Sequence, residues 1–222
     1  MIHNTLSTVV LISGNGSNLQ TLIDQQADLG IHINAVISNR GDACGLVRAR
    51  KAGIPAITLN HKSYADREAY DTALMQCIDQ YQPGLIILAG FMRILTPGFT
   101  RYYRGRILNI HPSLLPDYPG LHTHRRVLEA GDTEHGVTVH FVTEELDGGS
   151  PIIQARIPVT ETDTEDTLRH RVHALEYVIY PRAVAWFAEG RLKLINNQAF
   201  LDGAALPPAG YDYPVKETVK PS

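Results

Sequence analysis

The chain has 222 residues, a length that suits one globular domain, and its 44% hydrophobic and 19% charged residues are ordinary for a water-soluble protein. A formal net charge of −3 excludes a general attraction to nucleic acid or to an anionic membrane. The two cysteines, Cys44 and Cys77, provide neither a disulfide framework nor a metal-ligand spacing, and the short polar start offers no secretory or membrane segment. We therefore expect a cytoplasmic protein.

Short apolar strands alternate with amphipathic helices through the first half of the chain. The pattern predicts strand 8–13, a helix from residue 17 or 18, strand 35–38, helix 43–53, strand 56–59, helix 66–81 and strand 84–89. Continuous apolar strands separated by helices are typical of parallel sheets. We predict an α/β fold with a mostly parallel, twisted sheet, helices on both faces and a Rossmann-like N-terminal half.

The pattern changes after Gly90. It predicts strand 106–111, a Pro/Gly-rich loop 112–120, helix 123–130, strands 136–142 and 152–159, and a long helix 164–188. We expect the proline-rich tail, residues 201–222, to be irregular. Because no repeat or flexible linker appears, we predict a single domain over residues 1–222, with a phosphate-binding half (about 8–105) and a catalytic half (about 106–200).

A glycine loop, residues 13–18, joins the first strand to the first helix. Gly14 and Gly16 let the backbone approach a ligand closely, and helix N-terminal amides attract anions. Leu19 replaces the third glycine of the dinucleotide pattern, and no acidic residue follows the second strand at Ser38. The loop therefore favours a phosphate monoester over NAD, although a tight turn with an ordinary helix cap explains the same residues.

Asn109 and His111 lie two residues apart on a strand, so both side chains project to one face, at the strand's carboxyl end. An amide donor beside an imidazole can stabilise an oxyanion and deliver a proton, but His111 capping the strand is an equal alternative. A nearby carboxylate would sustain an imidazolium. Glu144, Glu145 and Asp147 are the candidates, and the spacing does not choose among them.

Other chemistries find less support in the sequence. His122 and His124 suggest zinc, but no cysteine or helical histidine pair completes a ligand set, so we expect no metal. No nucleophile elbow is present, and neither cysteine lies beside a histidine in sequence, which leaves covalent catalysis without support.

Five motifs occur in order: VVLISGNGSNLQ (9–20), LAGFMRIL (88–95), LNIHPSLLP (108–116), YPGLHTHRRVLEAGD (118–132) and GVTVHFVTEELDGG (136–149). Together they resemble the glycinamide ribonucleotide formyltransferases, folate-dependent enzymes of purine biosynthesis. The resemblance runs from about residue 8 to 210. It implies a formyltransferase fold and transfer of the formyl group of 10-formyltetrahydrofolate to the amine of 5-phosphoribosylglycinamide.

The resemblance also implies roles for individual residues. The catalytic residues would be Asn109, His111 and Asp147. The ribonucleotide would be held by Gly16, Ser17, Asn18, Leu19, Gln20 and Glu176. The folate would be held by Arg67, Met92, Arg93, Ile94, Leu95 and Asn109. We expect the half of about 106–200 to be the catalytic and folate-binding half, with Asn109 as its member of this set. Asn109 and protonated His111 would stabilise the tetrahedral oxyanion, and Asp147 would sustain the imidazolium.

Two departures from the family pattern concern binding rather than catalysis: Asp117 in the loop, and His173 before Glu176. The expected partners are the two small substrates, with no nucleic acid and no membrane, and a homodimer stays open. Methionyl-tRNA formyltransferase and formyltetrahydrofolate hydrolase are alternatives, but the first would carry a C-terminal RNA-binding domain and the second an N-terminal regulatory domain. A nonenzymatic sugar-phosphate sensor is a third alternative.

Overall fold

The computed structural model describes residues 5–215, which form eleven strands and six α-helices within that range. The strands are β1 Leu6–Ile12, β2 Ile31–Ser38, β3 Ala56–Thr58, β4 Leu85–Leu88, β5 Ile107–His111, β6 Glu134–Phe141, β7 Pro151–Pro158, β8 Leu192–Ile195, β9 Gln198–Leu201, β10 Ala204–Ala205 and β11 Tyr211–Tyr213. The helices are α1 Ser17–Gln25, α2 Cys44–Lys51, α3 Arg67–Asp79, α4 Pro97–Tyr102, α5 Thr123–Ala130 and α6 Glu165–Ala188.

Eight strands form the main sheet in the order β11-β7-β6-β5-β4-β1-β2-β3. Neighbouring strands are parallel except for β6, which runs antiparallel to both β5 and β7. The predicted mostly parallel sheet of a single α/β domain is thereby confirmed. The strand order reverses between β1 and β4, and ligands of open α/β sheets bind at such a switch point, beyond the carboxyl ends of the strands.

Helices cover both faces of the sheet, as predicted from the continuous apolar strands. Val10 and Ile12 of β1 belong to the core that includes residues of α1, α2 and α6, whereas Val9 and Leu11 belong to the core with α3 and α4. Successive side chains of a strand point to opposite faces, so β1 contributes to both cores. All four of these side chains are fully buried.

The longest helix, α6, begins at a capping box in which Thr164 and Thr167 satisfy each other's backbone amides. Its Tyr180 hydroxyl lies 2.9 Å from the Leu88 carbonyl oxygen and 3.0 Å from that of Leu108, which ties the helix to β4 and β5. None of the helices between residues 5 and 215 is both long and apolar enough to cross a membrane.

The structure contains elements that the sequence patterns do not predict. Helix α4 has only six residues, with Thr96 accepting from the Phe99 amide and Pro97 in the first turn, so it is too short to show an apolar period. Strands β8 and β9 form a hairpin closed by Asn196 and Asn197, both at positive φ (49° and 65°). Two asparagines with positive φ are the signature of a tight hairpin turn.

The prediction that residues 201–222 are irregular is wrong for the part that the structure describes. Strand β10 pairs with β9, and β11 adds in parallel to β7. A Cβ on Gly210 (φ 79°) would lie 2.6 Å from the Ile152 carbonyl carbon, so a glycine lets the tail approach β7, and the Tyr211 ring packs against Trp186. Residues 216–222 of the predicted tail lie outside the described range.

Candidate active site

The glycine loop, residues 13–18, lies at the switch point of the sheet and leads into α1. Gly16 caps the helix at φ 73°, and a Cβ on it would lie 2.7 Å from the Cα of Gly45, so the loop backbone touches α2 closely. The Gly45 amide donates to the Gly14 carbonyl at 3.0 Å. The Gln20 amide donates to Gly16 and begins the helical ladder, which leaves the amides of residues 17–19 to face an anion.

Ser13 fixes the start of this loop. Its hydroxyl donates to Asn39 Oδ1 at 2.6 Å and accepts the backbone N–H of Met92 at 2.8 Å. These two bonds join the ends of β1 and β2 to the chain that follows β4. The side of the cleft that would hold a phosphate is therefore fixed by hydrogen bonds.

A cavity of about 610 Å³, here called the larger cavity, opens beside the glycine loop. Arg40, Arg93 and Glu176 line it together with residues 13–18. Its volume is within the range of small-molecule sites. Amides and guanidinium groups along one side favour an anion, and the buried acid opposite favours hydroxyl donors.

Glu176 is 5% exposed and accepts a hydrogen bond from Asn18 Nδ2 at 2.7 Å. Burial raises the pKa of the Glu176 carboxyl to about 7, and the Asn18 bond opposes that rise. The Asn18 Oδ1 atom is buried and has no hydrogen-bond partner among the described residues. The pair thus lines the larger cavity and carries an amide oxygen whose capacity to accept a hydrogen bond is unused among the described residues.

Asn109 and His111 occupy the last residues of β5, as the sequence pattern predicts. His111 is 6% exposed, and its Nδ1 lies 3.4 Å from Asp147 Oδ2. Its Nε2 lies 2.9 Å from the carbonyl oxygen of Tyr118, in the loop that follows β5. Because a carbonyl oxygen only accepts, Nε2 carries a proton, and Nδ1 faces the carboxylate.

Of the three acids that the sequence leaves open, Asp147 is the one beside His111. Its Oδ2 also accepts the Gly120 amide at 2.9 Å, and its backbone has φ 51°. A Cβ on Gly149 would lie 1.7 Å from the Phe141 carbonyl oxygen, so the acidic loop, residues 143–149, packs tightly onto the end of β6. Glu144 instead forms an exposed pair with Arg101 at 3.2 Å.

His140 belongs to the same cluster, and sequence reasoning missed it. It stands directly opposite Asn109 in the antiparallel pairing of β5 and β6, and its Nε2 lies 3.1 Å from Asn109 Nδ2. It is 1% exposed, and burial lowers the pKa of its imidazole. The signal in the sequence is the alternation of residues 136–142, which places His140 on one face of β6, but not opposite a particular residue.

A second cavity of about 80 Å³, the smaller cavity, adjoins this cluster. Asn109, His140 and Asp147 line it, along with Arg93 and Leu95. Since Arg93 lines both cavities, they adjoin each other at this residue. Two ligands in the two cavities would approach each other there.

The residues expected to hold folate are spread along this boundary. Met92 is 67% exposed and lines the larger cavity, whereas Ile94 and Leu95 line the smaller one. The Arg93 guanidinium stacks over the Tyr70 ring, 5.0 Å from its centroid. Arg67, the exposed first residue of α3, lies outside the lining of both cavities.

Two residues expected to hold the ribonucleotide place their side chains elsewhere. The Leu19 side chain is fully buried in the core beneath α1. The Gln20 amide donates to Asp24 at 2.8 Å and accepts from Arg48 at 3.3 Å. The resemblance implies a binding role for the whole segment 16–20. At the N-terminus of a helix, however, only the first turn can present both its backbone and its side chains to a ligand. Gly16, Ser17 and Asn18 do line the larger cavity.

Of the two histidines that suggest zinc, His122 and His124, the second forms a pair with His135. His124 Nδ1 lies 2.9 Å from His135 Nε2, and burial lowers the pKa of each imidazole to about 4. Across residues 5–215, no three His, Cys, Asp or Glu side chains come together as a metal site.

Comparison with known proteins gives a consistent family assignment. Residues 6–184 match a family model described as formyl transferase. The phosphoribosylglycinamide formyltransferase of Escherichia coli (strain K12) is 57% identical over 208 residues, which cover 93% of this chain and 98% of that protein. The trifunctional purine biosynthetic protein adenosine-3 of Drosophila melanogaster is 51% identical over 185 residues, 82% of this chain and 14% of that longer protein.

A solved structure has the same fold along nearly the whole chain. The phosphoribosylglycinamide formyltransferase of Coxiella burnetii, in complex with CHES, superposes with a TM-score of 0.92 at 55% sequence identity. The match covers 95% of this chain and 100% of that one.

Proposed function

This chain belongs to the formyl transferase family, and we propose that it transfers the formyl group of 10-formyltetrahydrofolate to the amine of 5-phosphoribosylglycinamide, in purine biosynthesis. One observation carries the proposal. Asn109 and Asp147 line the smaller cavity, which shares Arg93 with the cavity beside the glycine loop, and His111 lies 3.4 Å from Asp147. The names of the relatives agree with this reaction.

The ribonucleotide fits the larger cavity. Its phosphate is placed at the amides of residues 17–19, where the helix N-terminus favours an anion. Its ribose hydroxyls are placed at Glu176 and Asn18, which line the cavity and carry oxygens that can accept hydrogen bonds. With phosphate and ribose so held, the glycinamide amine points toward the boundary between the cavities. For Leu19 and Gln20, this assigns only backbone proximity to the phosphate.

The folate fits the smaller cavity and the boundary next to it. Ile94 and Leu95 supply apolar contact for a flat ring, and Asn109 lies at the reacting end. Arg93 and Met92 extend the contact toward the larger cavity, and the exposed Arg67 supplies a cation for the carboxylates of the folate tail. Asn109 is thereby shared between binding and catalysis.

Catalysis begins when the substrate amine attacks the formyl carbon and forms a new C–N bond. The Asn109 amide and protonated His111 donate hydrogen bonds to the oxyanion of the tetrahedral intermediate, while Asp147, 3.4 Å from His111 Nδ1, balances the imidazolium charge. The bond from the formyl carbon to folate N10 then breaks. The proton lost by the amine reaches N10, directly or through water, so the two products leave neutral at these nitrogens.

The Tyr118 carbonyl must move before His111 can act through Nε2. It accepts from that nitrogen at 2.9 Å, and the Gly120 amide holds Asp147 on the other side of the same loop. A shift of residues 112–122 on substrate binding would free the Nε2–H for the oxyanion. The described conformation therefore represents a resting arrangement of the catalytic residues.

The remaining assignments concern the binding partners and the cellular compartment. We assign the two small molecules as the partners, with no nucleic acid and with a homodimer as an open possibility for the assembled enzyme. Cys44 and Cys77 are free thiols, which fits a reducing cytoplasm.

The decisive experiment follows formylated product and tetrahydrofolate together, with purified protein, 5-phosphoribosylglycinamide and 10-formyltetrahydrofolate. We expect stoichiometric products, and a loss of about 10²–10⁴-fold in turnover in both His111→Ala and Asp147→Asn, without loss of folding. Glu161→Gln, which changes an exposed acid outside the lining of both cavities, serves as the control and should turn over normally.

Three outcomes would contradict the proposal. Folate release without formylated product would indicate a hydrolase. No reaction at all, with sugar-phosphate binding retained, would indicate a sensor. Normal turnover by His111→Ala would reject the catalytic assignment while leaving the reaction intact.

A further inference from the structure

His140 is a buried, uncharged histidine that the mechanism above does not use. It lines the smaller cavity beside Asn109 and Asp147, and its side chain is 2% exposed. Its role can be derived from the partners of its two ring nitrogens.

The Nδ1 atom of His140 lies 2.9 Å from the carbonyl oxygen of Phe141. A carbonyl oxygen accepts and never donates, so Nδ1 must carry the ring proton. Full burial disfavours a second proton on the ring. Nε2 is therefore left with a lone pair, and it can only accept.

Across the strand pair, that lone pair meets the Asn109 side chain at 3.1 Å. Only the Nδ2 end of the Asn109 amide can donate to this lone pair. The Phe141 carbonyl fixes the tautomer of His140, and the tautomer in turn determines the orientation of the Asn109 amide. One Asn109 N–H is used by His140. The other N–H stays at a fixed position in the smaller cavity.

We infer that His140 is a positioning residue, which holds the Asn109 amide so that its second N–H points at the oxyanion of the formyl transfer. The inference rests on the proposed function. Were the ring to donate from Nε2, the amide would turn over and present its oxygen in place of an N–H, and an oxygen would repel the oxyanion. Preorganised donors of this kind account for large parts of catalysis in acyl transfer.

The position of His140 is itself determined by the sheet. It is paired with Asn109 in β5, while its pairing with β7 is shifted by a bulge between Val139 and His140. Bulges near active sites re-aim a side chain. Two other titratable groups face the ring: Asp147, whose Oδ1 is 3.9 Å from Nε2, and His111.

A double-mutant cycle separates action through Asn109 from a structural role. We expect His140→Leu to lower kcat about 10- to 100-fold, with the KM of both substrates changed less than about threefold. His140→Gln, whose side-chain oxygen can accept from Asn109, should retain kcat within about fivefold. In an Asn109→Ala background, His140→Leu should cost less than about threefold more, because the group on which it acts is gone.

The opposite results would overturn the inference. Equal losses in both backgrounds would mean that His140 acts on the fold or on another residue, and a displaced pH profile of kcat in His140→Leu would mean that it acts through Asp147 and His111. If His140→Leu does not fold, ¹⁵N NMR of the wild-type histidines decides: Nε2 must be the unprotonated nitrogen, and an Nε2–H tautomer refutes the role. Formyl transfer by the wild-type enzyme tests the proposed function separately, since it does not depend on any His140 variant.

Discussion

Burial determines the charge of Glu176, the acid assigned to the ribose. The pKa of its carboxyl is raised from 4.5 to about 7, chiefly by burial. An acid whose pKa is higher in the folded than in the unfolded chain takes up protons on folding. The free energy of unfolding therefore falls as the pH rises from the pKa of the unfolded chain to the pKa of the folded chain. Over that window the cost reaches roughly 3 kcal/mol, at 1.36 kcal/mol for each pKa unit.

Glu176→Gln should therefore stabilise the protein, and more at pH 8 than at pH 5. We expect the free energy of unfolding of the variant to exceed that of the wild type by about 2–3 kcal/mol more at pH 8 than at pH 5. Urea denaturation at the two pH values measures this. The same variant should weaken binding of 5-phosphoribosylglycinamide at pH 8, because an amide replaces the carboxylate that accepts from the ribose.

Glu165→Gln is the matched control, since Glu165 lies on the same helix but is only half-buried and pairs with Arg125. Its effect on stability should be small and similar at both pH values. A Glu176→Gln difference that stays constant between pH 5 and pH 8 would show that the acid is already charged at pH 5.

Single residues divide into those that sequence patterns can reveal and those that need the pairing of strands. Asn109 and His111 were predictable, because a two-residue spacing at the end of a strand places both side chains on one face. His140 was not, since its partner belongs to another strand and register is not readable from local alternation. The spacing alone leaves Asp147 as one of three candidates. The family resemblance selects it, and the structure places it beside His111.

At the scale of elements, the glycine loop shows why its two glycines differ. A Cβ on Gly14 would meet nothing within 4 Å, and its φ is ordinary. A Cβ on Gly16 would press on the α2 backbone at 2.7 Å, at φ 73°. A backbone contact of that kind cannot be relieved by turning a side chain, so a residue other than glycine must displace the loop or α2.

Gly16→Ala should lower stability by about 1–3 kcal/mol and raise the KM for 5-phosphoribosylglycinamide at least tenfold, with a smaller effect on the folate KM. Gly14→Ala is the matched control for stability, which it should change little because a Cβ there meets nothing within 4 Å. Steady-state kinetics with each substrate varied, and thermal unfolding, provide the measurements. A Gly16→Ala variant as stable as Gly14→Ala would show that the loop tolerates a Cβ at either place.

The elements themselves were predictable where they are long. The helices at 43–53, 66–81, 123–130 and 164–188 were expected within a few residues of their observed bounds, because each spans enough turns to show its apolar face. Helix α4, the β8–β9 hairpin and β11 are short and show too little periodicity, and β11 also depends on a partner, β7, that is distant in sequence. The prolines of the tail predict an irregular segment, yet β11 fits between Pro208 and Pro214 and pairs along the edge of β7.

At the scale of the whole molecule, the two predicted halves share both cavities. The larger cavity combines the glycine loop with Pro112 and Glu176, and the smaller one combines Leu88 and Arg93 with the acidic loop. A cleft of this kind depends on how residues 8–105 and 106–200 are held against each other. Helix α6 supplies part of that link, because it packs on the strands of both halves.

Tyr180 is the polar contact at the centre of this link. Its buried hydroxyl lies between the carbonyl oxygens of Leu88, the last residue of β4, and Leu108, the second residue of β5. Tyr180→Phe would remove the donor and leave these buried oxygens without it. We expect the free energy of unfolding to fall by about 1–3 kcal/mol. We also expect kcat/KM to fall several-fold at 25 °C. The lost hydrogen bond holds the Leu108 carbonyl, and Asn109 is the next residue of the chain.

Tyr177→Phe is the matched control on the same helix, where the ring is only half-buried. Urea denaturation of the two variants, together with formyl-transfer kinetics, measures both effects. Loss of stability without loss of kcat/KM would mean that the hydroxyl supports the core alone. If the two variants unfold at the same midpoint, α6 is held to the strands by apolar packing and the Tyr180 bonds add nothing. The expected result, loss of both for Tyr180→Phe and of neither for Tyr177→Phe, would tie the geometry of the catalytic strand to the helix that carries Glu176.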